Sequence, residues 1–308
     1  DDSFADFETY PHYIQQTPED YQPDVADYVR SGLKRGLMIE QKTGVNPYKF
    51  GVIGSTDSHT GLASAEEPNF LGKTARDSIP ENKNTVENGN WWRMAAQGLA
   101  AVWVTENSRE SIFAAFKRKE VYATTGPRLK VRFFAGWGFT QDDVNAREFS
   151  QIGYAKGVPM GGDLGHSEQA PQLLIRAVKD PMDANLDRVQ VVKGWLSQLG
   201  EQHERVYNVA WAGERHLDDD GRLDALPTTI DPNTLKYSND QGVAELATLW
   251  TDPDFNSDQK AFYYLRVLQI ETPRHSSYDV MALQQEPTAI YPVSIQERAY
   301  TSPIWYTP

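Results

Sequence analysis

Apolar positions along this chain switch from a spacing near 3.6 in its first part to alternation with a period of two in its second. Val25, Tyr28, Val29, Leu33 and Leu37 fall on one helical stripe. Gln22-Pro23-Asp24 opens that helix with a proline near the first helical position, and Gly44 closes it. Asn46-Pro47 turns into Phe50-Gly51-Val52-Ile53-Gly54, a short apolar run that predicts a buried strand. Ala63 to Asn90 is rich in Glu, Asn, Pro and Gly without periodicity and predicts a long surface loop. A second α/β unit follows, with a strand over Leu99 to Val104 and a helix through Ile112, Phe113 and Phe116. Asn107 and Glu110 have capping-box spacing at its start. Its basic end, Lys117-Arg118-Lys119, complements the helix dipole, and Val121 to Ala123 returns as a strand into Thr124-Thr125-Gly126-Pro127-Arg128.

From Leu129 the texture is that of strands separated by Gly, Pro and Asp. Candidates are Leu173 to Val178, Val189 to Lys193, Val206 to Trp211, Ala244 to Trp250, Phe262 to Ile270 and Tyr300 to Tyr306, after an opening run at Lys130 to Phe134. The run Phe262 to Ile270 is densest in aromatic and β-branched residues. No amphipathic helix is expected among them, so the pattern predicts an antiparallel sandwich. The fold class expected is therefore α/β over residues 1–128 followed by a β-sandwich-like domain over 129–308.

The candidate chemistry lies just past the first predicted strand, in Gly54-Ser55-Thr56-Asp57-Ser58-His59-Thr60-Gly61. Ligands collect at the carboxyl ends of strands in α/β layers. A D-x-H pair in extended backbone sends both side chains to one face, so Asp57 and His59 are expected to reach one ion or two adjacent ones. The plainer alternative is an Asp capping a turn beside a solvated His. Glycines on either side and the small hydroxyl residues between them leave room for a ligand and favour a site. Thr124, Thr125 and Arg128 are candidates for contacting an anionic substrate, Arg being well suited to phosphate oxygens; a T-G-P turn with a solvated Arg is the competing account. Asp218-Asp219-Asp220-Gly221 reads as a hairpin turn rather than a calcium loop, lacking the later bidentate Glu. His166, His203, His216 and His275 are expected on the surface.

Composition narrows the classes. A chain of 308 residues with 39% hydrophobic and 24% charged positions has room for two cores and carries no apolar run long enough for a bilayer. A net charge of -13 without a basic cluster argues against nucleic acid and anionic membrane as partners. The absence of cysteine excludes disulfides, zinc-thiolate sites and a cysteine nucleophile. The chain opens Asp1-Asp2-Ser3 rather than with Met, which fits a processed or truncated product, and an exported bacterial location is favoured over a cytoplasmic one. Eight Trp and fifteen Tyr raise a competing class, a carbohydrate- or protein-binding module without chemistry, with Trp91-Trp92, Trp195 and Trp211 as a stacking platform.

The segment Gly54 to His59 resembles the last metal-binding motif of the polymerase and histidinol phosphatase (PHP) superfamily, and Arg109 to Gly126 resembles the closing helix and strand of such domains. The ordered set of Phe4-Ala5-Asp6-Phe7-Glu8, Gly44 to Phe50, the D-x-H segment and Glu297 to Tyr306 is similar, along the whole chain, to the PHP-like domain of unknown function 3604.

That resemblance implies the C-terminal portion of a distorted α/β barrel over residues 1–128. It also implies a cluster of more than one divalent transition metal (zinc, manganese or iron) with Asp57 and His59 among its ligands, and hydrolysis of a small phosphate or related ester by metal-activated water. The H-x-H strand and the further His and carboxylate ligands of that superfamily are absent from this sequence. The chain is thus expected to be the C-terminal half of a longer protein, to partner with the missing N-terminal half, and to be inactive or badly impaired alone.

Overall fold

Strands that bury both faces dominate the molecule. The computed structural model describes residues 28–75, 78–83, 92, 95–285 and 293–308. Its strands, in chain order, are β1 (Leu99–Val102), β2 (Val121–Thr124), β3 (Lys130–Gly136), β4 (Gly157–Pro159), β5 (Asp163–Leu164), β6 (Gln172–Val178), β7 (Leu186–Leu196), β8 (Gln202–Trp211), β9 (Glu245–Thr251), β10 (Ala261–Gln269), β11 (Thr272–Pro273), β12 (Ser294–Ile295), β13 (Arg298–Thr301) and β14 (Ile304–Tyr306). The helices are α1 (Val29–Thr43), α2 (Pro80–Lys83), α3 (Arg109–Arg118), α4 (Gln141–Val144), α5 (Phe149–Lys156) and α6 (His275–Ala282).

In the larger sheet β1, β2, β13, β10, β14 and β5 are neighbours in that order, and β7 pairs with both β10 and β8. The smaller sheet runs β4-β3-β6-β9. All of these pairings are antiparallel except β14 with β5. The two sheets face each other: Val131, Phe133, Leu173 and Ile175 pack with Val189, Val191, Tyr263, Leu265 and Val267 in one core.

Alternation then sends the neighbouring residues to the opposite faces. Phe262 and Tyr264 of β10 join Leu33 and Leu37 of α1 and Trp305, while Phe134 and Leu174 of the small sheet join Val144 and Phe149 of α4 and α5. The result is four layers, helix on sheet on sheet on helix, and it explains why β10 reads as an unbroken apolar run.

Most predicted elements are present, with identifiable differences. α1 ends at Gly44 as expected, in the left-handed conformation with φ 78°; its expected opening at Gln22-Pro23-Asp24 lies outside the described residues. α3 is capped by Ser108, whose Oγ accepts the Ser111 N–H at 3.3 Å, rather than by Asn107. The expected strand over Tyr300 to Tyr306 is two, β13 and β14, broken at Ser302-Pro303, because proline cannot donate to a ladder. α4, α5 and α6 interrupt a region where no helix was expected.

One expectation fails outright and another in part. Phe50 to Gly54 forms no strand, and Ile53 is 48% exposed. Its glycines make the close approach: a Cβ on Gly54 would fall 2.5 Å from the Leu99 carbonyl oxygen and 2.8 Å from that of Thr124, and one on Gly51 would meet the side chains of Ser302, Lys119 and Val121. An apolar run pressed onto a sheet by its glycines cannot also bury its side chains there. The described part of Ala63 to Asn90 is not a surface loop throughout, since Glu67, Phe70, Lys73 and Lys83 are all buried.

The sequence boundary at 128/129 falls between β2 and β3, and the larger sheet draws strands from both sides of it. Among the described residues there is no closed barrel, because β1 and β2 pair antiparallel into the open larger sheet rather than parallel around an axis.

Candidate functional site

The D-x-H segment leaves the Leu99–Thr124 rung of the large sheet and turns outward. Asp57 holds the left-handed backbone conformation, φ 50°, a region that costs a non-glycine residue energy and is tolerated best by Asp and Asn. Its carboxylate Oδ1 lies 3.9 Å from His59 Nε2, and the two side chains are about half exposed, at 52% and 56%. Lys73 secures both residues: its buried ammonium stands 3.4 Å from Asp57 Oδ2, and its carbonyl accepts the His59 N–H at 2.7 Å. Thr56 Oγ1, Ser58 Oγ and Thr60 Oγ1 make long local hydrogen bonds, 3.2–3.5 Å, along the loop. Among the described residues no three His, Asp or Glu side chains gather as a metal site.

Beside this loop lies a cleft of about 610 Å³. Thr56 and Ala63 to Asn69 form one wall, Gly126 to Arg128 another, and Asp180, Asp183, Tyr237, Tyr278 and Glu297 close it. Of the residues predicted to meet substrate, Arg128 is exposed on this wall, and its backbone N–H donates to Asp180 Oδ2 at 2.7 Å. Thr124 is instead buried in β2, where its hydroxyl accepts the Gly126 N–H. Thr125 holds the β2–β13 junction, donating to Glu297 and accepting the Arg298 N–H at 2.9 Å. The structure therefore places one of the three on the cleft and two behind it.

The most unusual groups of the cleft are two glutamates that the sequence did not single out. Glu67 and Glu297 are 6% and 3% exposed and close enough that the charge of Glu67 acts on Glu297. Glu67 also accepts the His275 N–H, yet its Oε1 is buried with no hydrogen-bond partner. Burial pushes the Glu67 carboxyl upward against the pull of Arg274. Burial and the Glu67 charge push the Glu297 carboxyl well above the ordinary carboxylate range, opposed by Thr125 and Arg298. Two buried carboxyls held near each other resist being ionised together. Each sits in an undistinguished polar stretch, and only the meeting of the 64–73 loop with β13 reveals them.

The remaining candidates are accounted for. His275, expected at the surface, is 1% exposed against Phe70, their ring centroids 4.6 Å apart; His166 and His216 are exposed and His203 half-buried. Asp218 to Gly221 is the hairpin turn expected, Asp218 Oδ1 accepting the Asp220 and Arg222 N–H groups. Of the aromatic platform, Trp92 is fully buried with its indole N–H on Asp279, Trp211 donates to the Arg215 carbonyl, and Trp195 stacks on His203; Trp91 lies outside the described residues. Among the described residues no helix is long and apolar enough to cross a membrane.

Comparison with known proteins returns one family. The model described as "Protein of unknown function (DUF3604)" matches residues 1–308. No curated protein matches the chain.

Proposed function

The chain belongs to the DUF3604 family, and from the Asp57–His59 geometry we propose that it supplies one arm of the metal centre of a PHP-like hydrolase that acts on small phosphate or related esters. The observation carrying this reading is the 3.9 Å separation of two half-exposed donors. A carboxylate oxygen and an imidazole nitrogen suit zinc, manganese and iron. Two donors each about 2.0–2.2 Å from one ion stand at most about 4.4 Å apart, so the pair accommodates an ion between them.

The fit is to part of a centre. Catalytic zinc sites use three protein ligands and leave a position open, so the remaining ligands come from outside the described residues. In this reading the chain by itself hydrolyses esters poorly or not at all. A metal completed in this way supplies an activated water and a Lewis acid for a phosphoryl oxygen. The chain's own residues have separate tasks: Lys73 orients Asp57, and Arg128 offers the adjoining cleft a guanidinium for an anionic oxygen.

The test is metal content. The protein is equilibrated with zinc or manganese, desalted and analysed for bound metal beside Asp57→Ala and His59→Ala. Retained metal that both substitutions abolish supports the reading; metal retained equally by all three proteins, or by none, removes it.

A further inference from the structure

α3 turns only a narrow side inward. Its buried residue is Ala115, and the opposite side carries Phe113 at 61% exposed and Phe116 at 40%. A helix of a globular protein ordinarily turns its apolar stripe to the core, and apolar rings grouped in water mark an interaction surface. Arg109, Glu110 and Lys117 are exposed around the two rings. Lys117 lies over Phe113, its ammonium 5.4 Å from the ring centroid. Among the described residues the ion pair made by α3 is that of Arg118 with Glu120, which leaves the charges of Glu110 and Lys117 to a partner.

The order of these side chains along the helix selects that partner. Glu110 and Lys117 are two turns apart and so lie on one flank of Phe113; Arg109 and Phe116, equally spaced, lie on the other. Both sets are centred within one residue of Phe113. Two such helices laid antiparallel across a twofold axis bring Glu110 of each copy against Lys117 of the other. On the second flank the same axis brings each Arg109 guanidinium toward the facing Phe116 ring, a cation–π arrangement. Every contact then occurs twice, as an isologous interface requires. A parallel pair would oppose Glu110 to Glu110 and Lys117 to Lys117, which repel.

We propose that α3 is the contact between two copies of this chain, the helices antiparallel about a twofold axis at Phe113. A ten-residue helix is about 15 Å long, so this face falls short of the roughly 1,200 Å² of a stable interface. The dimer is accordingly a transient one, with a Kd of about 10–100 μM. It requires neither Asp57 nor His59.

Sedimentation velocity of the full chain from about 5 to about 500 μM brackets that range. The expected result is a shift from monomer to dimer as concentration rises. Phe113→Ser, at a side chain outside the core, is expected to weaken association at least about tenfold. Glu110→Lys alone and Lys117→Glu alone set like charges across the axis, and each is expected to weaken it about tenfold. Mixed together, the two single variants satisfy both ion pairs and are expected to form a heterodimer at the native affinity, as the double variant is expected to do with itself. A chain that stays monomeric throughout overturns the proposal. So does a dimer that Phe113→Ser leaves unchanged, or single charge variants that fail to recover on mixing. Should the charge variants fail to fold, Phe113→Ser alone decides.

Discussion

Lys73 stands 3.4 Å from Asp57 and buries its own side chain in doing so, only 6% of it remaining exposed. A buried ammonium needs an anionic partner, and the same residue's carbonyl fixes His59, so one lysine sets the relative position of both proposed ligands. Lys73→Met keeps the carbonyl and the chain length while removing the charge. If Asp57 is a ligand, this variant binds manganese or zinc about tenfold more weakly, as loss of a supporting contact around a metal does. An unchanged affinity in a competition assay with a chromogenic chelator would show that Lys73 does not orient the site.

Gly54 is where the D-x-H segment touches the sheet. Any side chain there meets the backbone of both β1 and β2, which cannot rotate away. Gly54→Ala is expected to cost about 1–3 kcal/mol in urea unfolding. Gly165, with nothing within 4 Å of its would-be Cβ, serves as the control, and its replacement by Ala is expected to stay within about 0.5 kcal/mol. Equal effects at the two positions would mean that the segment yields without cost.

Asp279 anchors α6 to the loop region from within. It accepts the Trp92 indole N–H at 3.0 Å and pairs with the buried Lys83 at 3.1 Å. Removing one partner of a buried pair leaves the other charge uncompensated, at about 3–5 kcal/mol. Asp279→Ala is expected to lower stability by that amount; a loss under about 1 kcal/mol would indicate that water reaches Lys83.

The glutamate pair makes stability fall as pH rises. Its carboxyls titrate higher in the folded protein than in the unfolded chain, chiefly because burial disfavours their charged form. Their contribution is therefore complete below the ordinary value of 4.5 and is lost as pH climbs through the raised folded one. Each unit of that difference is worth about 1.4 kcal/mol. Asp143 and Glu204, held low against their own burial by Lys156 and by Lys34 with Arg30, contribute in the opposite sense and are lost toward acid. Urea midpoints from pH 5 to 9 are expected to decline, and Glu297→Gln to flatten the decline. A profile identical in the variant would refute the raised Glu297 carboxyl.

The strands were legible where both of their faces are buried. Phe262 to Ile270 and Leu173 to Val178 read as apolar without interruption because a sheet covers one side and helix or aromatic residues the other. Phe50 to Gly54 carries the same local pattern for a different reason: its glycines, not its Val and Ile, make the contact. Spacing does not distinguish the two cases. Asp57 and His59 were legible because they are two residues apart. Glu67 and Glu297 were not, because each has ordinary neighbours and only the tertiary fold joins them; α4, at four residues, is too short to display a helical period.

The bond between Arg298 and Thr125 joins residues 173 positions apart, at the same place where β13 completes the sheet beside β2. During synthesis at about 5–20 residues per second, the β1–α3–β2 unit waits roughly 9–35 s for that neighbour. Through that interval the edge that will receive β13 is an open template for any other strand, in this chain or another. The delay before β13 emerges from the ribosome is therefore a step at which this edge is open to misassembly.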